Sequence, residues 1–184
     1  MKTILGFIAL ILLVVASPYN LYTEKWGIDE SKTMDGIVIT RLSEENTEIG
    51  VTNISYETQK KLLHDLKDRV KNDGMSKDRY AKYADRYQRK AAGGRLHVFI
   101  TRNDFDRGNM DYFEVYIYDK KGHEMFHQRY PNQIPKTNRE EIEYMWKNEG
   151  LMMITPDLYL PATIEVVDKF QGKEIKHQFK VAAE

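Results

Sequence analysis

The chain has 184 residues, of which 41% are apolar and 30% are charged, a composition typical of a folded domain rather than of a disordered chain. It contains no cysteine, which excludes disulfides, thiolate metal sites, a cysteine nucleophile and a lipidated N-terminal cysteine. Basic and acidic side chains balance at 28 each, so a generally basic nucleic-acid-binding protein is not expected.

The first sixteen residues have the features of a secretory signal peptide. Lys2 and the amino terminus give a positive start, residues 3–15 are almost wholly apolar, and Val14-Val15-Ala16 resembles a signal-peptidase site. The apolar run is shorter than the ~20 residues of a membrane-spanning helix. We therefore predict cleavage near Ala16 and an exported, periplasmic or secreted chain, with an uncleaved anchor as the alternative. Export without disulfides favours a bacterial envelope.

Charge is distributed unevenly along the rest of the chain. Residues 17–59 carry three basic and eight acidic side chains, and residues 104–174 carry nine basic and fourteen acidic ones. Residues 60–95 carry twelve basic and five acidic side chains. The zero net charge therefore conceals a basic middle between two acidic flanks.

Two helices are predicted in the basic middle, as an insertion at about residues 56–92. The first has an apolar face, with Ser55 or Thr58 as its N-cap, and ends at Asn72-Asp73-Gly74. The second begins at the N-cap Ser76 and ends at Gly93-Gly94. The face of the first helix consists of Leu62, Leu63, Leu66 and Val70, and the stripe of the second of Tyr80, Tyr83, Ala84, Tyr87 and Ala91.

The remaining sequence alternates between apolar and polar residues in short runs, a pattern typical of β-strands. Predicted strands occupy residues 36–42, 48–54, 96–100, 113–117, 151–154, 158–168 and 173–181. A further helix is predicted at about 139–149, with Thr137 or Asn138 as its N-cap. Short strands separated by turns predict one mainly β domain over residues 17–184, with an Ig-like or C2-like β-sandwich and the helix pair as an insertion.

One motif points to an enzyme. His123-Glu124-Met125-Phe126-His127 has the HExxH pattern and resembles the zincin metallopeptidase families over these five residues. The resemblance implies that His123 and His127 would bind zinc and that Glu124 would activate water. Glu149 is the best-spaced downstream acid for a third ligand.

Local sequence favours a hairpin over the helix that this chemistry needs. On a helix, residues four apart lie about 6 Å apart along the axis, whereas on a strand they lie about 13 Å apart, too far to share one zinc ion. The motif follows a strongly alternating strand and the turn at Asp119 to Gly122. A three-residue loop would place Met125 opposite Ile117 and Phe126 opposite Tyr116. We therefore predict no metal, no cofactor and no catalytic residue, and keep the zinc metallopeptidase as the alternative.

The second predicted helix combines aromatic and basic side chains. Such a surface could bind an acidic polymer, anionic lipid headgroups or a nucleic acid. The competing interpretation is that the tyrosines pack on the sheet with their hydroxyls at the rim and that the charges form a solvated face. The candidate binding residues are Arg79, Tyr80, Tyr83, Arg86, Tyr87 and Arg89.

Two further features are candidate ligand sites. The acid-rich loop at 103–111 could bind calcium through oxygen ligands, but it lacks EF-hand spacing, and its Asx side chains could instead bond the backbone. His177 shares a predicted strand face with Ile175, Phe179 and Val181, which favours a buried histidine over a ligand.

Taken together, these patterns favour a non-enzymatic binding or structural module of the cell envelope. The expected partner is an unidentified protein, a glycan or an anionic envelope component, with contact to a membrane surface as a further option. No nucleic-acid partner is expected, because the net charge is zero.

Overall fold

The computed structural model describes residues 31–44, 48–137 and 145–184. Ten strands and two helices lie in these ranges. The strands are β1 (Ser31–Met34), β2 (Ile37–Arg41), β3 (Gly50–Glu57), β4 (Arg95–Arg102), β5 (Phe113–Tyr118), β6 (Glu124–Arg129), β7 (Lys136–Thr137), β8 (Trp146–Met153), β9 (Ala162–Asp168) and β10 (Ile175–Ala183). The helices are α1 (Gln59–Asn72) and α2 (Lys77–Lys90), both between β3 and β4.

The described strands form two antiparallel sheets, so the chain is mainly β. Sheet A has six strands in the order β1-β2-β10-β9-β5-β6, and sheet B has four in the order β3-β4-β8-β7. Every strand pairing is antiparallel. Across the described residues, no helix combines the length and the apolar character needed to cross a membrane.

One hydrophobic core takes its side chains from both sheets. Alternate residues of β5 and β10 point into it from sheet A, and alternate residues of β3 and β4 point into it from sheet B. This period of two is the reason that the strands are readable from sequence. Fully buried members include Leu96, Val98, Ile100, Phe113, Val115, Ile117, Ile154, Ile164, Val166 and Val181.

The predicted helix at 139–149 is wrong where the structure describes it. Residues 146–149 belong to β8, which pairs with β4 along its whole length, from Trp146 opposite Arg102 to Met153 opposite Arg95. Inter-strand pairing overrides the local helical pattern there. The rest of the predicted helix, including its proposed cap Asn138 and residues 139–144, lies outside the described residues, and Thr137 belongs to β7.

Several other boundaries differ from the sequence-based prediction. The strand predicted at 48–54 runs as Gly50–Glu57, and the one predicted at 158–168 begins only at Ala162. An additional strand, β1, pairs with β2 at the edge of sheet A. Residues 1–30, and with them the predicted signal peptide and its cleavage site, lie outside the described residues.

Candidate functional site

The two helices form a hairpin, here called the basic hairpin, that comprises α1, α2 and the residues 73–76 between them. They pack mainly against each other, and Leu62 and Leu66 are the buried side chains of α1. On α2, no residue is fully buried, and the partly buried positions recur at spacings of three and four. The stripe Tyr80, Tyr83, Ala84 and Tyr87 therefore faces α1, and not a sheet as the competing interpretation expected.

Local capping explains where both helices begin. The Thr58 hydroxyl accepts a hydrogen bond from the amide of Lys61 at 3.2 Å, and the Ser76 hydroxyl accepts one from the amide of Arg79 at 3.3 Å. These bonds satisfy amides that the helix itself leaves unpaired. Thr58, and not Ser55, is thus the cap of α1, and the predicted cap of α2 is confirmed.

The three candidate arginines of α2 are all exposed but differ in their contacts. The Arg79 guanidinium lies 5.9 Å from the centre of the Tyr83 ring, within reach of a cation–π contact. Arg89 bonds Asp85 one turn earlier, with 2.9 Å between Nε and Oδ1. Among the described residues Arg86 forms no ion pair. The site residues predicted on this helix therefore present cations outward and tyrosine rings toward α1.

The basic hairpin is joined to sheet B at its base. The buried hydroxyl of Tyr56 donates to the carbonyl of Gly93 at 2.7 Å, and burial raises the pKa of this tyrosine to about 12. The Gly93 amide donates to the Ile154 carbonyl at 2.9 Å. A Cβ on Gly93 would lie 2.2 Å from the carbonyl oxygen of Pro156, so only glycine fits. These contacts fix the exit of α2 against β8.

The HExxH residues lie on a hairpin. His123 is in the turn, with Nδ1 3.1 Å from Asp119 Oδ2, and His127 is on β6, with Nε2 3.2 Å from Glu114 Oε2. Glu149 lies on β8 of the other sheet, 3.0 Å from His97 Nε2. Glu124, the base that the resemblance implied, begins β6 and is exposed. These residues do not converge on one point, and the geometry is not that of a helical zinc site.

The predicted register of this hairpin is wrong by one residue. Gly122 has the expected left-handed conformation, with φ +84°. However, Phe126 lies opposite Ile117 and His127 opposite Tyr116, because the pairing shifts between Ile117 and Tyr118. Such a bulge sets two residues of one strand against one of its partner. The stacked His127 and Tyr116 rings, 4.1 Å apart, are a consequence of this shift.

The acid-rich loop at 103–111 uses its polar side chains within the chain. Asp104 Oδ1 accepts from the amide of Arg107 at 3.0 Å, and Asn109 Oδ1 accepts from the amides of Asp111 and Gln133 at 3.2 and 3.0 Å. This is the Asx bonding that competed with calcium binding in the sequence analysis. In the described ranges, the three side chains close enough to share a metal ion are His64, Asp65 and Asp68, on the surface of α1.

Sequence reasoning missed an ion cluster in the interior. Asp168 at the end of β9 is fully buried and accepts from Arg102 Nε at 3.3 Å and from Arg107 Nε at 3.1 Å. Arg102 is 1% exposed and also donates to the hydroxyl of Thr52 at 2.7 Å. The only sequence signal was a charged residue at the end of each of two strongly apolar strands, β4 and β9.

His177 lies beside this interior ion cluster, and the expectation of a buried histidine is confirmed. It is 2% exposed on the inward face of β10. Burial, reinforced by the charges of Arg102, Arg41 and Arg107, lowers the pKa of His177 to about 3. The imidazole is therefore neutral at physiological pH.

A second polar network, also missed, covers part of the outer face of sheet A. Glu114 Oε2 is bonded by Lys169 Nζ at 2.8 Å, by the Tyr116 hydroxyl at 2.7 Å and by His127 Nε2 at 3.2 Å. The bond from Lys169 is the main reason that the pKa of Glu114 falls to about 2, against an opposing effect of burial. The sequence showed the alternating tyrosines of β5 but not which residues face them.

Comparison with known proteins identifies no relative, since no family model, no curated protein and no solved structure matches this chain.

Proposed function

We propose that this chain is an exported, non-enzymatic binding module of the cell envelope and that the basic hairpin is its interaction surface. In this proposal the two sheets form a β-sandwich, Ig-like or C2-like, that carries the basic hairpin. The shared core of the two sheets supports this architecture, because side chains from both inner faces meet in one cluster. The partner is an anionic component of the envelope, such as a phosphate-bearing polymer or a layer of lipid headgroups.

The observation that carries the proposal is the surplus of unpaired cations on the basic hairpin. Residues 59–90 contain eleven lysines and arginines but five aspartates. Of these cations, Lys61 and Arg89 form ion pairs within the described residues. The other nine form no ion pair with any carboxylate of the described residues. An uncompensated positive patch raises the local concentration of anionic ligands and steers them to the surface.

The attachment of the basic hairpin also suits a binding role. Its two helices pack mainly against each other, so their outer surfaces are not committed to either sheet. Its lysine and arginine stems can cover apolar surface while their charged ends reach an anionic layer. Binding through such a patch would weaken as salt concentration rises, because exposed charges are screened.

The test is charge reversal on α2. The variant Arg79→Glu/Arg86→Glu/Arg89→Glu should lose binding to vesicles that contain an anionic lipid and to an anionic envelope polymer, measured by co-sedimentation at low salt. The matched control, Lys121→Glu/Lys136→Glu/Lys173→Glu, reverses three exposed charges away from the basic hairpin and should retain more binding. Circular dichroism must show that both variants fold. Unchanged binding by the α2 variant would overturn the proposal.

Export is tested separately. The full chain, expressed in a bacterial host, should be recovered outside the cytosol with a new N-terminus near residue 17, as measured by mass spectrometry. An intact N-terminus on membrane-bound protein would support the anchor alternative, and an intact chain in the cytosol would overturn export.

A further inference from the structure

The outer face of sheet A carries a second arrangement of side chains with the features of a ligand site. Three central strands, β5, β9 and β10, set their outward residues in register. Tyr118 lies opposite Thr163, and Thr163 lies opposite Lys180. One step along, Tyr116 lies opposite Glu165, and Glu165 lies opposite Gln178. Each row spans two inter-strand spacings, about 9–10 Å, which is wide enough to accept a flat ring.

This strip of outward side chains on β5, β9 and β10 is here called the trough. The tyrosines of β5 form one side of it. The rings of Tyr116 and Tyr118 are nearly parallel, at 9°, with centroids 6.5 Å apart, close to the rise of two residues along a strand. His127 stacks on Tyr116 from the neighbouring strand β6, at 4.1 Å and 11°. Lys169 Nζ lies 5.9 Å from the centre of the same Tyr116 ring. Tyr118, which lines a groove at the end of the row, is therefore the main aromatic contact for a ligand.

The floor and the opposite wall are polar. Glu165 lies on the floor, where it is 4% exposed and accepts from Lys176 Nζ at 3.1 Å and Gln178 Nε2 at 2.7 Å. Thr163 continues the floor with a hydroxyl. The trough therefore places the tyrosines beside hydroxyl, amide and ammonium groups, while the Glu165 carboxylate is buried and already bonded.

One end of the trough is an open groove that carries two lysines. The β5–β6 turn and the start of β9 border this groove of about 400 Å³, whose lining includes Tyr118, Lys120, Pro161, Thr163 and Lys180. This volume is within the range of small-molecule sites. Lys120 and Lys180 form no ion pair with any residue that the structure describes, whereas Asp119 is engaged by His123.

We propose that this trough binds an acidic oligosaccharide, with a carboxylate-bearing sugar in the groove between Lys120 and Lys180 and a neighbouring sugar against Tyr118. The apolar face of a pyranose stacks on an aromatic ring, and its hydroxyls pair with amide and hydroxyl groups such as those of Gln178 and Thr163. The two lysines, which form no ion pair within the described residues, complement the carboxylate of the sugar. This site is separate from the basic hairpin and does not depend on the function proposed for it.

The experiment is a calorimetric titration of the chain with a hexameric polyuronate. A neutral hexasaccharide and polyglutamate serve as reference ligands. The polyuronate should bind more tightly than both. Tyr118→Ala should weaken polyuronate binding by about tenfold, a typical effect of losing an aromatic contact. Lys180→Ala should weaken binding of the polyuronate while leaving any binding of the neutral sugar unchanged.

Matched controls separate this site from general charge effects. Phe105→Ala removes an aromatic side chain that is 43% exposed on the loop between β4 and β5, and Lys173→Ala removes an exposed lysine on the β9–β10 turn. Both should bind like the wild type. In the charge-reversed α2 variant, where the basic hairpin contributes less to polyuronate binding, the loss on Tyr118→Ala should persist. Equal affinity for polyglutamate and polyuronate, or polyuronate affinity unchanged by Tyr118→Ala, would overturn the proposal. Amide shifts in NMR spectra that cluster at Tyr118, Thr163 and Lys180 on titration would support it, and shifts confined to the basic hairpin would overturn it.

Discussion

Asp168 of sheet A and Arg102 of sheet B meet in the interior, with 3.3 Å between the carboxylate Oδ2 and the guanidinium Nε. The same carboxylate oxygen bonds Arg107, and the other oxygen, Oδ1, accepts from the amide of Phe170 at 3.1 Å. One buried carboxylate therefore bonds two arginines and the backbone amide of the turn that follows β9. Removing it would leave charge in a site from which water is excluded, and this determines the first prediction.

We expect Asp168→Asn to destabilise the fold strongly. The substitution keeps the shape of the side chain but removes the negative charge that bonds Arg102 and Arg107, and breaking a buried pair on one side typically costs about 3–5 kcal/mol. Urea unfolding followed by circular dichroism measures the loss. Asp157→Asn, at an exposed position, is the control and should change the free energy of unfolding by less than about 0.5 kcal/mol. A similarly small change for Asp168→Asn would contradict the buried ion pairs of Asp168 with Arg102 and Arg107.

His177 should make the fold sensitive to mild acid. Because its pKa is about 3 when folded and 6.5 when unfolded, its contribution to stability is fully present above pH 6.5 and is lost as the pH falls toward 3. The unfolded state binds the extra proton, so the slope approaches about 1.4 kcal/mol per pH unit.

The range from pH 6.5 to 5 isolates this effect, since the contribution of Glu114 is lost only as the pH falls from 4.5 toward 2. In this range His177→Gln should flatten the dependence of the free energy of unfolding on pH. The control His64→Gln removes an exposed histidine and should leave the slope unchanged. A wild-type slope in His177→Gln would refute the assignment.

Zinc stoichiometry tests the hairpin at residues 119–129. After zinc is added and the protein is dialysed, we expect no stoichiometric metal, because His123 and His127 bond different carboxylates. His123→Ala should change stability by less than about 0.5 kcal/mol, since this side chain is 70% exposed. About one zinc per chain, lost on His123→Ala, would instead favour the metallopeptidase and call for peptidase assays.

The base of the basic hairpin should tolerate no side chain at residue 93. Gly93→Ala would bring a methyl group to 2.2 Å from the Pro156 carbonyl oxygen and 2.6 Å from Ile154 Cγ2. We expect a loss of about 1–3 kcal/mol, the usual range for overpacking. Gly74→Ala, in the turn between the helices, would place its methyl group in open space, so only the φ of +65° is unfavourable. It should therefore lower the free energy of unfolding by less. Thermal unfolding measures the loss of stability in both variants. Equal losses for Gly93→Ala and Gly74→Ala would contradict the close packing at Gly93.

The features that sequence predicted well are local ones. The caps Thr58 and Ser76, the break at Asp73 and the left-handed Gly122 all depend on residues within a few positions of one another. The alternation of β5 was readable because its inner residues are buried and its outer residues are not. These local preferences are found in the folded structure because the tertiary contacts favour the same conformations.

The features that sequence missed depend on distant partners. Arg102 and Asp168 are 66 residues apart, and nothing near either one reveals the other. The predicted helix over 139–149 fails at Trp146 because β4 supplies a long pairing edge that a local pattern cannot show. The one-residue bulge before Tyr118 likewise appears only once the strands are paired, and it decides which ring stacks on His127.

The last residue of β3 and the first of β4 face each other as register partners, and Arg95 Nε lies 2.7 Å from Glu57 Oε2. The segment 58–94 therefore begins and ends beside one pair of strand residues, Glu57 and Arg95. A short turn could replace the helices between Glu57 and Gly93 without breaking a register pairing of sheet B, provided that Gly93 and Gly94 keep their bonds to Tyr56 and Ile154. Since lengthening a surface loop costs little closure entropy, helices of another length or charge could be exchanged at this point. The outward charge of the helices can thus change while the two glycines at their base stay fixed.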